Sequence, residues 1–256
     1  MSWRLADTDW NSWPGGLSDA QTWAQTAALG LEGVEIGVYD AAVELAPQRL
    51  AALPGSPPVT DLLLSLPAGR WPAGALTGDR DRLVDQVRAC ADVCRDLGLG
   101  VLGLWSGADP VGADVEAGLR RVVQAAGDVR IALEYKPGTA VATCDDAIAL
   151  CAAVPGLGVL LDTGHAYANG EDPAALVERL GDLLLHVHLG DAGPGGGDDD
   201  LPCGRRHDFG AFVAALDATG WSGTAAFDLY GAVLDGGLSS EQAVRESRDH
   251  VLSTRA

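Results

Sequence analysis

Four short apolar runs in the second half of the chain each end on a side chain able to hold a metal ion. They close on Glu134 and Lys136, on Asp162 and His165, on His186 and His188, and on Asp228. Side chains alternate along a strand, so Glu134 and Lys136 share one face, as do His186 and His188. Glu134, Asp162 and Asp228 with His188 would set three negative charges and one imidazole around a single cation. Oxygen-rich ligation with one nitrogen suits Mn2+, Mg2+ or Co2+, with Zn2+ a possible occupant. Four protein ligands leave one or two positions open, which adjacent oxygens of a hydroxy-ketone would fill. The ion would then act as a Lewis acid, stabilising an enediolate after loss of the α-proton. The competing reading makes Glu134, Asp162, Asp228 and His165 strand-end residues that cap the next helix. It makes His186 a core histidine and Lys136 a solvated lysine.

Such a constellation needs strands that end at one rim. Strands are expected at 3–7, 34–38, 59–66, 101–105, 129–135, 157–161, 183–189 and 224–229, from short apolar or alternating runs. Helices are expected between them. One runs from a Ser18 cap to Leu29, one from Ala41 to Leu53, and one from Asp79 to Leu97 with Leu83, Val84, Val87, Cys90, Ala91 and Cys94 at helical spacing. Others cover 114–126, 145–153 after a Thr143 cap, 173–180, 208–218 and 239–255. Strictly alternating strands and helices imply parallel strands joined by right-handed crossovers. Eight such units close into an α/β, (β/α)8 TIM barrel, read as one domain over 1–256. A doubly wound open sheet is the alternative, but no GxGxxG follows the first strand. The segment 192–200 is Gly- and Asp-rich and reads as a mobile loop, its Asp198-Asp199-Asp200 run as a solvated acidic face.

The chain has 256 residues and 47% apolar residues, enough for a substantial core. Its formal net charge of −19 argues against nucleic acid as a partner. The five cysteines show no CxxC pair, and reduced thiols of a cytoplasmic protein are the expectation. No apolar leader and no run of about 18 apolar residues is present, so neither a signal peptide nor a membrane span is expected. Lys136 is the one lysine, and Trp10, Trp13, Trp71 and Trp105 fall where they could line an apolar substrate wall.

These pieces together resemble the xylose-isomerase-like superfamily of TIM barrels, which includes sugar isomerases and 3-epimerases, hydroxypyruvate isomerase, inosose dehydratase and AP endonucleases. The matching residues are Glu134 in Leu-Glu-Tyr-Lys-Pro, Asp162 and His165 in Leu-Asp-Thr-Gly-His-Ala, and His186 and His188 in His-Val-His-Leu-Gly-Asp. Leu201-Pro-Cys-Gly and Val34-Glu35-Ile36 also fit. The resemblance implies one divalent metal on Glu134, Asp162, His188 and Asp228. It implies that Glu134 and the strand-eight acid move protons and that His165 hydrogen-bonds substrate. The family usually has Glu where Asp228 stands; Lys136 is the alternative acid. Glu35, Trp105, His186 and Arg205 are assigned to substrate binding, Arg205 as the stand-in for an arginine that follows strand seven in the epimerases. Asp191 is assigned either to a second metal or to orienting His188, and His207 and His250 to the surface. The implied function is metal-dependent isomerisation or epimerisation of a sugar or polyhydroxy-ketone, by a possible homo-oligomer. A lyase or dehydratase acting at the same site, including one that cleaves a C-glycosyl bond, is the alternative. A hydrolase like the AP endonucleases and a non-catalytic subunit rank lower.

Overall fold

The computed structural model describes residues 3–107, 109–193 and 199–255. Eight parallel strands pair in sequence order and close on themselves: β1 (Arg4–Thr8), β2 (Gly33–Val38), β3 (Val59–Ser65), β4 (Val101–Trp105), β5 (Arg130–Glu134), β6 (Leu157–Asp162), β7 (Leu184–Leu189) and β8 (Thr224–Phe227). Helices run between them: α1 (Asp19–Ala28), α2 (Ala41–Glu44), α3 (Pro47–Ala52), α4 (Arg80–Leu97), α5 (Glu116–Ala126), α6 (Cys144–Ala153), α7 (Thr163–Ala168), α8 (Pro173–Leu180), α9 (Gly210–Thr219), α10 (Tyr230–Leu234) and α11 (Ser240–Thr254). The expected barrel is therefore present. Most of the 192–200 loop, residues 194–198, lies outside the described residues.

Local chemistry sets most element ends. Ser18, Thr143 and Ser239 each form a reciprocal capping box at the starts of α1, α6 and α11. Gly98 ends α4 in the left-handed conformation that glycine adopts without strain. The single helix expected over 41–53 is two, α2 and α3, because Pro47 has no N–H to continue α2 and instead starts a new turn. The short helices α7 and α10 were not expected; at six and five residues they carry no readable period. β8 stops at Phe227, so Asp228 sits just beyond the strand.

The strands sort their side chains by alternation. Leu62, Leu64, Leu102, Leu104, Ile131, Leu133, Val159, Leu161, Val187 and Leu189 join the large apolar layer that the helices cover. Leu63, Ala132 and Leu160 point the other way and form a small separate cluster with Trp10. All five cysteines are buried free thiols, with Cys90 and Cys94 on the inner face of α4.

Asp7 is a buried acid outside the site, facing α1. Burial pushes its carboxyl up to about 6, against donors from Asn11, Thr26 and the Thr8 N–H. The Thr26 hydroxyl lies 3.1 Å from Asp7 and 3.0 Å from the Thr22 carbonyl. A protonated Asp7 would donate a hydrogen bond to the Thr26 hydroxyl, which would donate its own to the Thr22 carbonyl. A raised folded-state pKa contributes stability that is present below the unfolded value of 3.8 and is lost as pH rises through about 6. Asp7→Asn should flatten this part of the profile. Denaturant unfolding of both proteins between pH 4 and 7 should show the native chain losing about 3 kcal/mol relative to the variant.

Candidate metal centre and substrate cleft

Glu134 at the end of β5, Asp162 at the end of β6, His188 on β7 and Asp228 after β8 converge at the C-terminal rim of the barrel. One donor atom from each lies within 4.8 Å of the others. The imidazole Nδ1 of His188 is 3.8 Å from Glu134 Oε1, 3.9 Å from Asp162 Oδ2 and 3.6 Å from Asp228 Oδ2. Metal bonds of about 2.1 Å at angles of roughly 90–120° put neighbouring donors about 3.0–3.6 Å apart. The spacing is thus slightly wider than a filled site and close to it. Nδ1 of His188 is buried with no hydrogen-bond partner, an arrangement that a cation would relieve. Burial pushes the Asp228 carboxyl up, and the charges of Asp162 and Glu134 push it further; His188 and Trp10 oppose them. Three carboxylates at this distance fit a divalent ion better than they fit one another.

Each ligand has an element that holds it. Asp162 caps α7, its Oδ1 accepting from the His165 N–H at 2.8 Å, which leaves Oδ2 for the centre. Capping and ligation are therefore not alternatives at this residue. Asp228 is held from β1. After that strand a 3-10 turn, Asp9–Ser12, brings Trp10 Nε1 to donate to Asp228 Oδ1 at 2.8 Å, while Oδ2 faces His188. Asn11 clamps the backbone on either side, donating to the Phe227 carbonyl at 2.7 Å and accepting from the Leu229 N–H at 2.9 Å. Asp9 fixes the turn through the Gly37 N–H and Arg49. A side chain at Gly37 would start 2.8 Å from the Trp10 ring, so glycine lets that ring approach. Sequence reasoning assigned no such role to Trp10 or Asn11.

Glu35 and His186, assigned from the sequence to substrate, lie beneath the centre instead. Both are fully buried and neither lines the cleft. His188 donates Nε2–H to Glu35 Oε2 at 3.2 Å, and His186 donates Nε2–H to the same oxygen at 2.8 Å. Burial would raise the Glu35 carboxyl, but the two imidazoles outweigh it and hold the group down to about 2. Glu35 therefore fixes the tautomer that presents Nδ1 of His188 to the rim. His186 is braced in turn by Asp61, 3.6 Å from its Nδ1. Removing the charge with Glu35→Gln should weaken metal binding about 10–100-fold while the barrel stays folded, as read by metal titration beside circular dichroism.

Above the ligands opens a cleft of about 350 Å3. Trp10, Trp13, Tyr39, Trp105 and Tyr230 form its aromatic lining, and Lys136 and His165 line it as well. The Lys136 ammonium sits 4.9 Å from the centre of the Trp105 ring. His165 has Nδ1 3.0 Å from the Tyr135 carbonyl; a carbonyl only accepts, so Nδ1 carries a proton, and in the neutral ring Nε2 is then the acceptor. Trp71, expected at such a wall, is buried elsewhere under Arg82. Arg205 is directed away, paired with Glu246 on α11. Asp191 belongs to neither group of candidate ligands among the described residues. It is fully buried and accepts from the Arg206 and His207 N–H groups and the His207 imidazole. His207 is only partly exposed, stacked on Tyr167 at 3.8 Å, and His250 packs against Phe209. Asp200, expected on a solvated face, lines the cleft. Its carboxyl is pushed well up by burial and by the charges of Asp228 and Asp162.

A closed parallel barrel with Glu, Asp, His and Asp on its C-terminal rim can be compared with known proteins. The model of the xylose isomerase-like TIM-barrel family matches residues 23–254. The chain belongs to that family. No curated protein sequence matches it. Among solved structures, a D-allulose 3-epimerase from Methylomonas sp. is similar with a TM-score of 0.77 and 20% identity, covering 99% of this chain and 98% of that one. The IolI protein with a bound zinc atom is similar with a TM-score of 0.73 and 17% identity, covering 98% and 97%. A probable 3-DHS dehydratase, AsbF, from Bacillus anthracis follows at 0.74 and 16%, covering 99% and 100%. At these identities the likeness is one of fold. No helix among the described residues is long and apolar enough to cross a membrane.

Proposed function

We propose that the chain is a divalent-metal-dependent isomerase or epimerase of a sugar or related polyhydroxy-ketone. The observation that carries this reading is the position of the four-ligand cluster at the floor of a cleft that also receives Lys136 and His165. Glu134, Asp162, His188 and Asp228 would hold the ion, proposed as Mn2+, Mg2+ or Co2+ with Zn2+ possible. It would supply Lewis acidity to two adjacent substrate oxygens. Glu134 removes the proton next to the carbonyl. Its carboxyl, which burial alone would raise, is held below the usual range chiefly by His188, so it is an available base at neutral pH. His165 Nε2 accepts from a substrate hydroxyl, and Lys136 donates to a substrate oxygen. The aromatic wall covers the apolar face of the sugar and excludes water.

One oxygen of Asp228 is taken by Trp10 and the other faces His188. Asp228 is therefore assigned as a ligand; transfer along one face by Glu134 yields isomerisation, and epimerisation would need a second proton donor on the opposite face of the substrate. The same observation favours a second reading, in which Glu134 removes the proton and a β-substituent leaves, making the protein a lyase. Turnover in D2O separates the readings. Epimerisation places deuterium on the α-carbon that lost its proton, isomerisation places it on the former carbonyl carbon, and both conserve mass apart from it. Elimination gives a product lighter by the leaving group. Turnover in which an α-deuterium of the substrate stays on its original carbon would overturn both.

A further inference from the structure

We infer that Asp200 is a substrate-binding side chain: its carboxyl takes a hydrogen bond from a hydroxyl of an uncharged polyol and rejects anionic relatives of that molecule. The inference rests on the sugar-site reading above and adds the charge of the substrate to it. Asp200 lines the cleft together with Glu134, Lys136, His165 and Asp228. It is the one non-glycine residue with positive φ among the described residues, at 41°, a strained conformation that the surroundings must enforce. The enforcement is visible. Asp191 and Leu201 exchange both backbone hydrogen bonds at 2.8 Å, directly after Asp200. Asp191 also fixes the segment that follows, through Arg206 and His207. Oδ2 of Asp200 accepts from the Gly231 N–H at 2.9 Å, so the carboxyl orientation is set before any ligand arrives. Besides the carboxylates assigned to the ion, the cleft is lined by two acids, Asp200 and Asp235, with Lys136 as its one lysine or arginine. A phosphate or carboxylate on the substrate would meet carboxylates there, whereas hydroxyls find acceptors.

The test measures binding of D-allulose, D-fructose and D-fructose 6-phosphate by calorimetry to Mn2+-loaded protein, in the native form and in the Asp200→Ala and Asp200→Asn variants. Asparagine tolerates the left-handed backbone and keeps an acceptor, which guards against a folding artefact. Asp200→Ala should bind the better neutral ketose about 10–100-fold more weakly with metal content unchanged, the loss expected when a buried hydroxyl is left without its hydrogen-bond partner. Asp200→Asn should stay within about tenfold of the native protein for the ketose and bind the phosphate more tightly than the native protein does. Native affinity for the ketose in Asp200→Ala, loss of metal in that variant, or equal native affinity for D-fructose and its 6-phosphate would each overturn the inference alone. Failure of the metal-loaded native protein to bind either neutral ketose would overturn the sugar-site reading and this inference with it.

Discussion

Replacing His188 with Ala will yield a folded barrel that does not retain its ion and has lost at least about a thousandfold in kcat/KM. His188 is the only nitrogen in the four-ligand cluster, and the structure spends three buried groups on orienting it: Glu35, His186 and Asp61. Without the imidazole, Glu134, Asp162 and Asp228 face one another in a buried space with a weakened hold on any cation. Asp162 needs a subtler variant, because its Oδ1 caps α7. Asp162→Ala removes cap and ligand together and should lower stability by about 1 kcal/mol as well as activity. Asp162→Asn keeps an oxygen for the His165 N–H and removes the charge, so its activity loss reports the ion. Burial would lower the His188 pKa, but Glu35 and Glu134 hold it well above 6.5. A proton therefore competes with the metal for His188. Metal affinity should rise with pH, by about tenfold per unit for each proton displaced, until that imidazole is neutral. Elemental analysis of the purified variants and metal titration of the native protein from pH 6 to 8 check these outcomes. Full metal content in folded His188→Ala would remove the centre from the mechanism.

The parts of the site that stand at the ends of apolar runs were legible in the sequence, because a polar residue closing a buried strand has few structural reasons to be there. Glu134, Asp162 and His188 are of this kind. The roles of Glu35 and His186 were not legible. Alternation tells which face a side chain takes, but not its depth along the barrel, and His186 lies one layer below His188. Trp10 and Asn11 escaped for another reason. They reach Asp228 only because β1 closes against β8, pairing Asp7 with Phe227 across more than 200 residues of chain. No local pattern announces that closure. Arg205 and Asp200 exchanged their expected places, the arginine facing α11 and the aspartate facing the cleft. The cause is the Asp191–Leu201 bridge, which turns the returning chain inward just after Asp200. A composition rule that reads acidic runs as solvated has no access to such a tether.

Glu134→Gln should reduce kcat by about 100–10,000-fold and abolish exchange of the substrate α-hydrogen with solvent. The amide keeps the volume and one ligating oxygen of the acid, so the variant should still hold the ion, with lower affinity because one negative charge is gone. Its Michaelis constant should change much less than kcat, since the substrate oxygens remain in contact with the other groups of the cleft. Lys136 is the competing base. It shares the Glu134 face of β5, and its ammonium lies 4.9 Å from the centre of the Trp105 ring, from where it can donate to a substrate oxygen. Lys136→Met should therefore raise KM or slow turnover without ending solvent exchange. If the two variants behave the other way round, with exchange surviving in Glu134→Gln and vanishing in Lys136→Met, the lysine is the base and Glu134 is a ligand alone. Measuring exchange separately from net turnover keeps that assignment apart from any loss of metal, because the metal content of each variant is read on the same sample.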